Sequence, residues 1–283
     1  MLKIFFLILP TIILFATSCD NKTEQKIEQK IDSTELNANN LLIEAQTLID
    51  SGALQQAKLI IDSVHNSFPT LRTQRIKAKS LADSIIYLEA KTTLAYTETL
   101  LPPLFEKVDE LIKKFSYEKN DQYENNGRYV HKLLVTNSNT SRNFIQAYVR
   151  DDHKTIVKSY YFGNKPVAQN SITLSSDNEE QLFSGTNHQF EAQGHHEIMT
   201  LEDEQALTFL SFISTYQNSR IRVKGNGTDS NSSWIYYLND KEKNALAETY
   251  QLGWLMKDIQ KIEEIQNSQN EKILNYEQKN KVK

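Results

Sequence analysis

Residues 144–162 read FIQAYVRDDHKTIVKSYYF, and this stretch decides the fold class. Phe144 to Val149 and Thr155 to Phe162 are rich in β-branched and aromatic residues and alternate with period two, the spacing of a strand with two unlike faces. The polar run Arg150-Asp151-Asp152-His153-Lys154 separates them, so the pair predicts a hairpin. Further strands are expected at Ser171–Leu174, Leu182–Phe183 and His188–Ala192, and a pair at Arg220–Lys224 and Trp234–Leu238 around a loop from Gly225 to Ser233. Thr200-Leu201-Glu202-Asp203 has the form of a capping box, which predicts a helix near 201–217 with Leu207, Leu210 and Ile213 on its buried side. Residues 142–238 thus read as an antiparallel β region carrying one short helix.

Towards the N-terminus the period changes. Leu41, Leu42, Ala45, Leu48 and Ile49 recur every three or four residues, as do Leu54, Ala57, Ile60, Ile61 and Val64, with Ser51-Gly52 between the two runs and Phe68-Pro69 after them. Gly52-Ala53-Leu54-Gln55-Gln56-Ala57, then Ile61 and Phe68-Pro69, resembles the second helix of a tetratricopeptide-type hairpin. The match covers one repeat, and stable arrays need about three, so a helical hairpin is expected and a peptide-binding solenoid is not. A long third helix follows from near Thr70 through Leu81, Ile85, Leu88 and Ala95, with a kink or short loop at Pro102-Pro103. Leu104, Val108, Leu111 and Phe115 continue its stripe. Residues 37–115 are the helical region, and 116–141 a polar connector studded with aromatics.

Towards the C-terminus, Asn239-Asp240 caps a long helix over 239–276, ahead of a charged tail at 277–283. Its seam at Leu252, Leu255, Ile259 and Ile262 suits packing back on this chain or a coiled-coil homodimer. The whole reads as α+β: a helical hairpin plus long third helix, an antiparallel sheet with one short helix, and a long C-terminal helix packing back.

Composition narrows the function classes. Thirteen Tyr and twelve Phe in 283 residues exclude a disordered polymer, and a net charge of −4 excludes the positive field of a dedicated nucleic-acid binder. A single cysteine excludes a disulfide framework and multi-Cys metal centres. No P-loop, dinucleotide fingerprint, nucleophile elbow or HExxH is present. That lone cysteine stands at position 19, after Lys3, an apolar run from Ile4 to Phe15, and Ala16-Thr17-Ser18. The pattern resembles a bacterial lipobox, with Ala16 where Leu is commonest. It implies that residues 1–18 are a lipoprotein signal peptide and that Cys19 carries a diacylglyceryl thioether and an N-acyl group such as palmitate. Several buried chains hold far better than one. Polar residues 19–36, with only Ile27 and Ile31 as large apolar groups, then read as a tether or a frayed helix.

Three clusters carry possible chemistry. His195-His196-Glu197, with His188 nearby, offers imidazole and carboxylate to a divalent metal, or is a solvated loop. Asp229, Asn231 and Ser233 superficially follow a calcium loop, but Trp234 stands where glycine is required. Tyr123, Tyr129 and His131, followed by Arg142, could stack on a sugar or hold a carboxylate, or could pin the connector to the core. The order Phe115-x-Tyr117-Glu118-Lys119, Tyr123, Gly127-x-Tyr129-x-His131 and Arg142 ahead of a strand resembles a family of uncharacterised bacterial envelope lipoproteins. The resemblance implies this same architecture and brings no activity, ligand or cofactor with it.

The expectation is a lipid-anchored envelope protein, most simply of the outer membrane. It would be non-enzymatic, without catalytic residues, metal or cofactor, and would bind a protein partner. A glycan or small-molecule module using the connector aromatics and Arg142 is the alternative, and a hydrolase assembled from distant residues a third class. Replacing Cys19 with serine removes the only acylation site, so C19S should move the protein from the membrane to the soluble fraction. Metabolic fatty-acid labelling checks this, and absence of label in the wild type would contradict it.

Overall fold

The computed structural model describes residues 21–120, 122, 125–134, 142–191, 195–229 and 232–281. Cys19, the signal-like segment and Tyr123 lie outside them. The chain divides into two compact units, one of residues 1–90 and 272–283, the other Lys91–Glu271. No helix of the described residues is long and apolar enough to cross a membrane.

The first unit is helical. α1 (Asn21–Asp50) and α2 (Leu54–Ser67) form the expected hairpin. The Ala53 N–H bonds back to the Leu48 carbonyl at 2.8 Å and the Gly52 N–H to Ile49 at 2.9 Å. This helix stop needs a left-handed residue, and Gly52 supplies it with φ +79°. Ala45 of α1, Ala57 of α2 and Ala78 of α3 (Arg72–Ile112) are fully buried among Leu42, Ile61, Val64 and Ile85. Lys58 Nζ bridges both carboxylate oxygens of Glu89 at 2.7 and 2.8 Å, tying α2 to α3. The last turns of α5 (Asp240–Lys281) belong here too, with Tyr276 stacked on Tyr87 at 4.5 Å and its hydroxyl 2.9 Å from Ser84 Oγ.

Two expectations change in these helices, and one open reading is resolved. Residues 19–36 are helical from Asn21 onward and continuous with α1, as Glu, Lys and Gln are good helix formers. α3 runs unbroken through Pro102 and Pro103. Two interior prolines are costly, roughly 3 kcal/mol each, but Leu101, Leu104 and Val108 around them pack into one apolar cluster, and that burial outweighs the lost donors. α5 continues to Lys281, through most of the stretch read as a charged tail.

The second unit is built on two antiparallel sheets. The larger contains β1 (Phe115–Glu118), β2 (Arg128–His131), β3 (Phe144–Arg150), β4 (Thr155–Gly163), β7 (Thr186–Glu191) and β8 (His195–Glu202), in the order β1-β2-β3-β4-β8-β7. The smaller contains β5 (Gln169–Ser176), β6 (Glu179–Ser184), β9 (Arg222–Gly227) and β10 (Ser233–Tyr237), in the order β10-β9-β5-β6. α4 (Asp203–Thr215) buries Ala206, Phe209, Leu210 and Ile213 in a core with Ala147, Val157, Ile172, Leu174, Met199 and Leu201. The deciding hairpin is present as β3–β4, with Ala147 opposite Val157. The Asn239 cap is also formed, and it is reciprocal: Glu242 N–H to Asn239 Oδ1 and Asn239 N–H to Glu242 Oε2, both at 3.0 Å.

Two further readings are corrected here. The connector 116–141 holds a hairpin, β1–β2, which extends the large sheet with Tyr117 opposite Tyr129. The Thr200 capping box does not form. Thr200 lies within β8, paired to Lys158 and Thr186, because Met199 and Leu201 alternate with it into the core. α4 starts only at Asp203, without a side-chain cap. The coiled-coil seam is used within the chain: Leu252, Met256 and Ile259 are buried with Val108, Phe115 and Val149.

Ala57 is a contact point between helices, so overpacking there costs roughly 1–3 kcal/mol. A57L should lower the thermal midpoint, and an unchanged midpoint in calorimetry would place Ala57 outside the core.

Candidate functional site

Of the connector cluster, Tyr129 and His131 stand two residues apart on one face of β2. Tyr129 is half-buried, 5.1 Å from the Tyr117 ring, and packs on the cluster of Phe115, Val149 and Leu252. His131 is only 4% exposed and meets Phe115 edge-on at 5.0 Å. The Leu133 N–H donates to His131 Nδ1 at 3.2 Å, which leaves the ring proton on Nε2, and Nε2 donates to Glu248 Oε2 at 2.7 Å. Lys114 Nζ reaches the other oxygen of Glu248 at 2.6 Å. Burial by itself raises the Glu248 pKa, but the hydrogen bonds from Lys114 and His131 outweigh it and hold the carboxyl below its ordinary range. The stabilisation from this group is therefore complete above the unfolded carboxyl's pKa and is lost as the pH falls through the lower folded value.

Arg142 does not join them. Tyr129 pairs with Val149 at the far end of β3, whereas Arg142 precedes the strand, about 20 Å away at 3.3 Å per residue. It is exposed, and its charge acts on the Tyr236 hydroxyl, which accepts the Ile145 N–H at 3.1 Å. Tyr129, His131 and Arg142 thus form no common pocket.

The histidine–glutamate run also resolves into structure. His195 to Glu197 open β8, and Glu197 points into the core, 1% exposed. Its Oε1 accepts the N–H groups of Val167 and Ala168 at 2.6 and 2.8 Å, and its Oε2 the N–H of Gln169 at 2.6 Å. Asn187 Nδ2 adds a longer bond at 3.3 Å. Gln169 extends the network, accepting from Trp234 Nε1 at 3.1 Å and donating to Ser159 Oγ at 3.2 Å. No group of three His, Cys, Asp or Glu that could hold a metal ion occurs among the described residues. The signal for Glu197 was in the sequence: it shares strand parity with Met199 and Leu201, which marks it as inward-facing.

A different feature meets the conditions for recognition. In the helical unit an open groove of about 500 Å³ runs between α1 and α3. Leu42 and Leu81 line it with polar Asn39, Gln46 and Ser80, and Lys77 is its one charged residue. Ile43 in its wall is 65% exposed, and Leu36 and Ile76, on the same helical faces by spacing, are 59% and 60% exposed. Isolated exposed aliphatics are ordinary, but several along one groove mark a contact surface. One turn further along that face of α3, Ser84 and Tyr87 already hold a helix, the end of α5, through Tyr276. Sequence reading missed the groove because it depends on what α1 and α3 leave uncovered.

No family model, curated protein or solved structure matches this chain.

Replacing Glu197 with alanine would strand the N–H donors of 167–169, at roughly 1–3 kcal/mol for each one left buried and unpaired. Urea unfolding should therefore show a large loss for E197A and a smaller one for E197Q, which keeps an acceptor oxygen. Equal midpoints for E197A and wild type would show that the clamp contributes nothing.

Proposed function

We propose that this protein is a lipid-anchored, non-enzymatic component of the bacterial cell envelope, held at the outer membrane through Cys19, that docks an amphipathic helix of a protein partner in the α1–α3 groove. The observation that carries the reading is the row of exposed aliphatic side chains, Leu36, Ile43 and Ile76, along a groove whose α3 face also packs a helix of this chain. A helix presents apolar residues at the three- and four-residue spacing that Leu36, Asn39 and Ile43 answer. Lys77, the sole charge of the lining, favours a partner with an acidic residue on the flank of that helix. The buried ionisable groups support a non-catalytic reading, since Glu197 and the His131–Glu248 pair are committed to holding backbone and strand in place. Lys243 likewise donates to the Ser219 carbonyl at 2.9 Å.

A photocrosslinking side chain placed at Ile43 or Ile76 of the lipidated protein in intact cells tests this, with Leu59, exposed on α2, as control. The expected result is a crosslink from 43 and 76, not from 59, to an amphipathic helical segment bearing acidic flank residues. I43K should abolish it while leaving the unfolding free energy within about 0.5 kcal/mol of wild type, as for other exposed positions. Crosslinks only to a second copy of this chain, or equal crosslinking from Leu59, would overturn the reading.

A further inference from the structure

The β unit carries a second recessed surface, independent of the helix groove. A pocket of about 320 Å³ lies between α4 and α5, and it adjoins a cavity of about 270 Å³ at the β3–β4 turn. The two share Glu204, Leu207 and Lys257, so they form one trough. Its outer wall is Trp254, 46% exposed, in a chain whose other tryptophan, Trp234, is 7% exposed. Tyr250 stands 6.3 Å from the Trp254 ring and Lys261 Nζ 5.6 Å above it. An indole left this open is an amphipathic platform for a flat ring with an apolar face.

The inner end is polar and incomplete. Thr155 is 1% exposed and lines the cavity, and its Oγ1 has no hydrogen-bond partner. Asp152 Oδ1, in the same lining, is also buried without a partner. A Cβ at residue 253 would come within 2.4 Å of Thr155 Oγ1, so only glycine lets α5 pack this closely beside that hydroxyl. Between the two ends, Lys257 Nζ and Glu204 Oε1 approach to 3.3 Å.

We propose that this trough binds a neutral saccharide, which stacks on Trp254 and extends its hydroxyls to the Glu204–Lys257 pair and the Thr155 hydroxyl. The charges select this class. An anion would face Asp152, Asp203 and Glu204, and a cation would face Lys154 and Lys257. A polyol uses such a mixed lining fully, because each hydroxyl both donates and accepts. From Trp254 to Gln260 the trough follows α5 for about 9 Å, the length of two linked pyranose rings. The source is either a free oligosaccharide or a glycan strand of the envelope. This site is distinct from the connector aromatics and Arg142.

Calorimetric titration of the purified full chain with cellotetraose, maltotetraose and the tetramer of N-acetylglucosamine tests the proposal, alongside co-sedimentation with peptidoglycan sacculi. At least one soluble tetramer should bind, and W254A should weaken it about tenfold or more, the loss of one stacked ring. T155V provides a check free of misfolding. Removing an unpaired buried hydroxyl leaves the fold as stable or more so, yet binding should weaken. Binding of the tetramer alone points to a free sugar, and binding of sacculi as well to a glycan strand; either supports the site. Failure of all three tetramers to bind, affinity unchanged in W254A, or, with tetragalacturonate titrated as the anionic control, a response confined to that oligomer would overturn it.

Discussion

The β unit depends on one buried carboxylate. The chain leaves the large sheet at Gly163 and enters the small one at Gln169, so it must change sheets within a few residues. Such a crossing frees backbone N–H groups from any ladder, and buried donors without acceptors are expensive. Glu197 on β8, beside Tyr161 of β4, accepts three of them. The cost of taking its charge out of water is offset by that number of short hydrogen bonds, and Gln169 carries the network on to Trp234 and Ser159. Without the clamp, the crossing between the sheets would leave three N–H donors unpaired, and only the shared apolar core would hold the small sheet in place.

The helical unit is governed by a different constraint, close approach. Ala45, Ala57 and Ala78 bring α1, α2 and α3 together with no exposed backbone at their contacts. Small residues on the inner faces leave the larger aliphatics Leu36, Ile43 and Ile76 facing outward along a groove. The same geometry that packs the hairpin thus leaves the groove proposed as a docking surface. In the β unit, Gly253 lets α5 pack closely on Thr155, while the next residue, Trp254, turns to the surface.

Residues that look chemical in a sequence are here often structural. His131 and Glu197 have the side chains of catalysis or metal binding, yet each is used to satisfy or orient neighbouring groups inside the core. The two proposed recognition surfaces rest instead on residues with no motif: exposed aliphatics on one unit and an exposed indole on the other.

Local spacing along the chain is enough for the α+β class, the helical hairpin with its Gly52 stop, the β3–β4 hairpin and the Asn239 cap. These rest on spacing and short-range hydrogen bonds, which neighbouring residues write directly into the chain. It also contains the lipobox-like approach to Cys19. Tertiary structure alone decided that α3 continues through Pro102-Pro103, that the connector yields β1 and β2, and that Thr200 pairs in a strand rather than capping a helix. In each case burial against distant residues overrode a local preference. The separation of Arg142 from Tyr129, and the two recessed surfaces, were likewise beyond local reading, because strand register and the gaps between packed elements arise only when residues far apart in sequence meet.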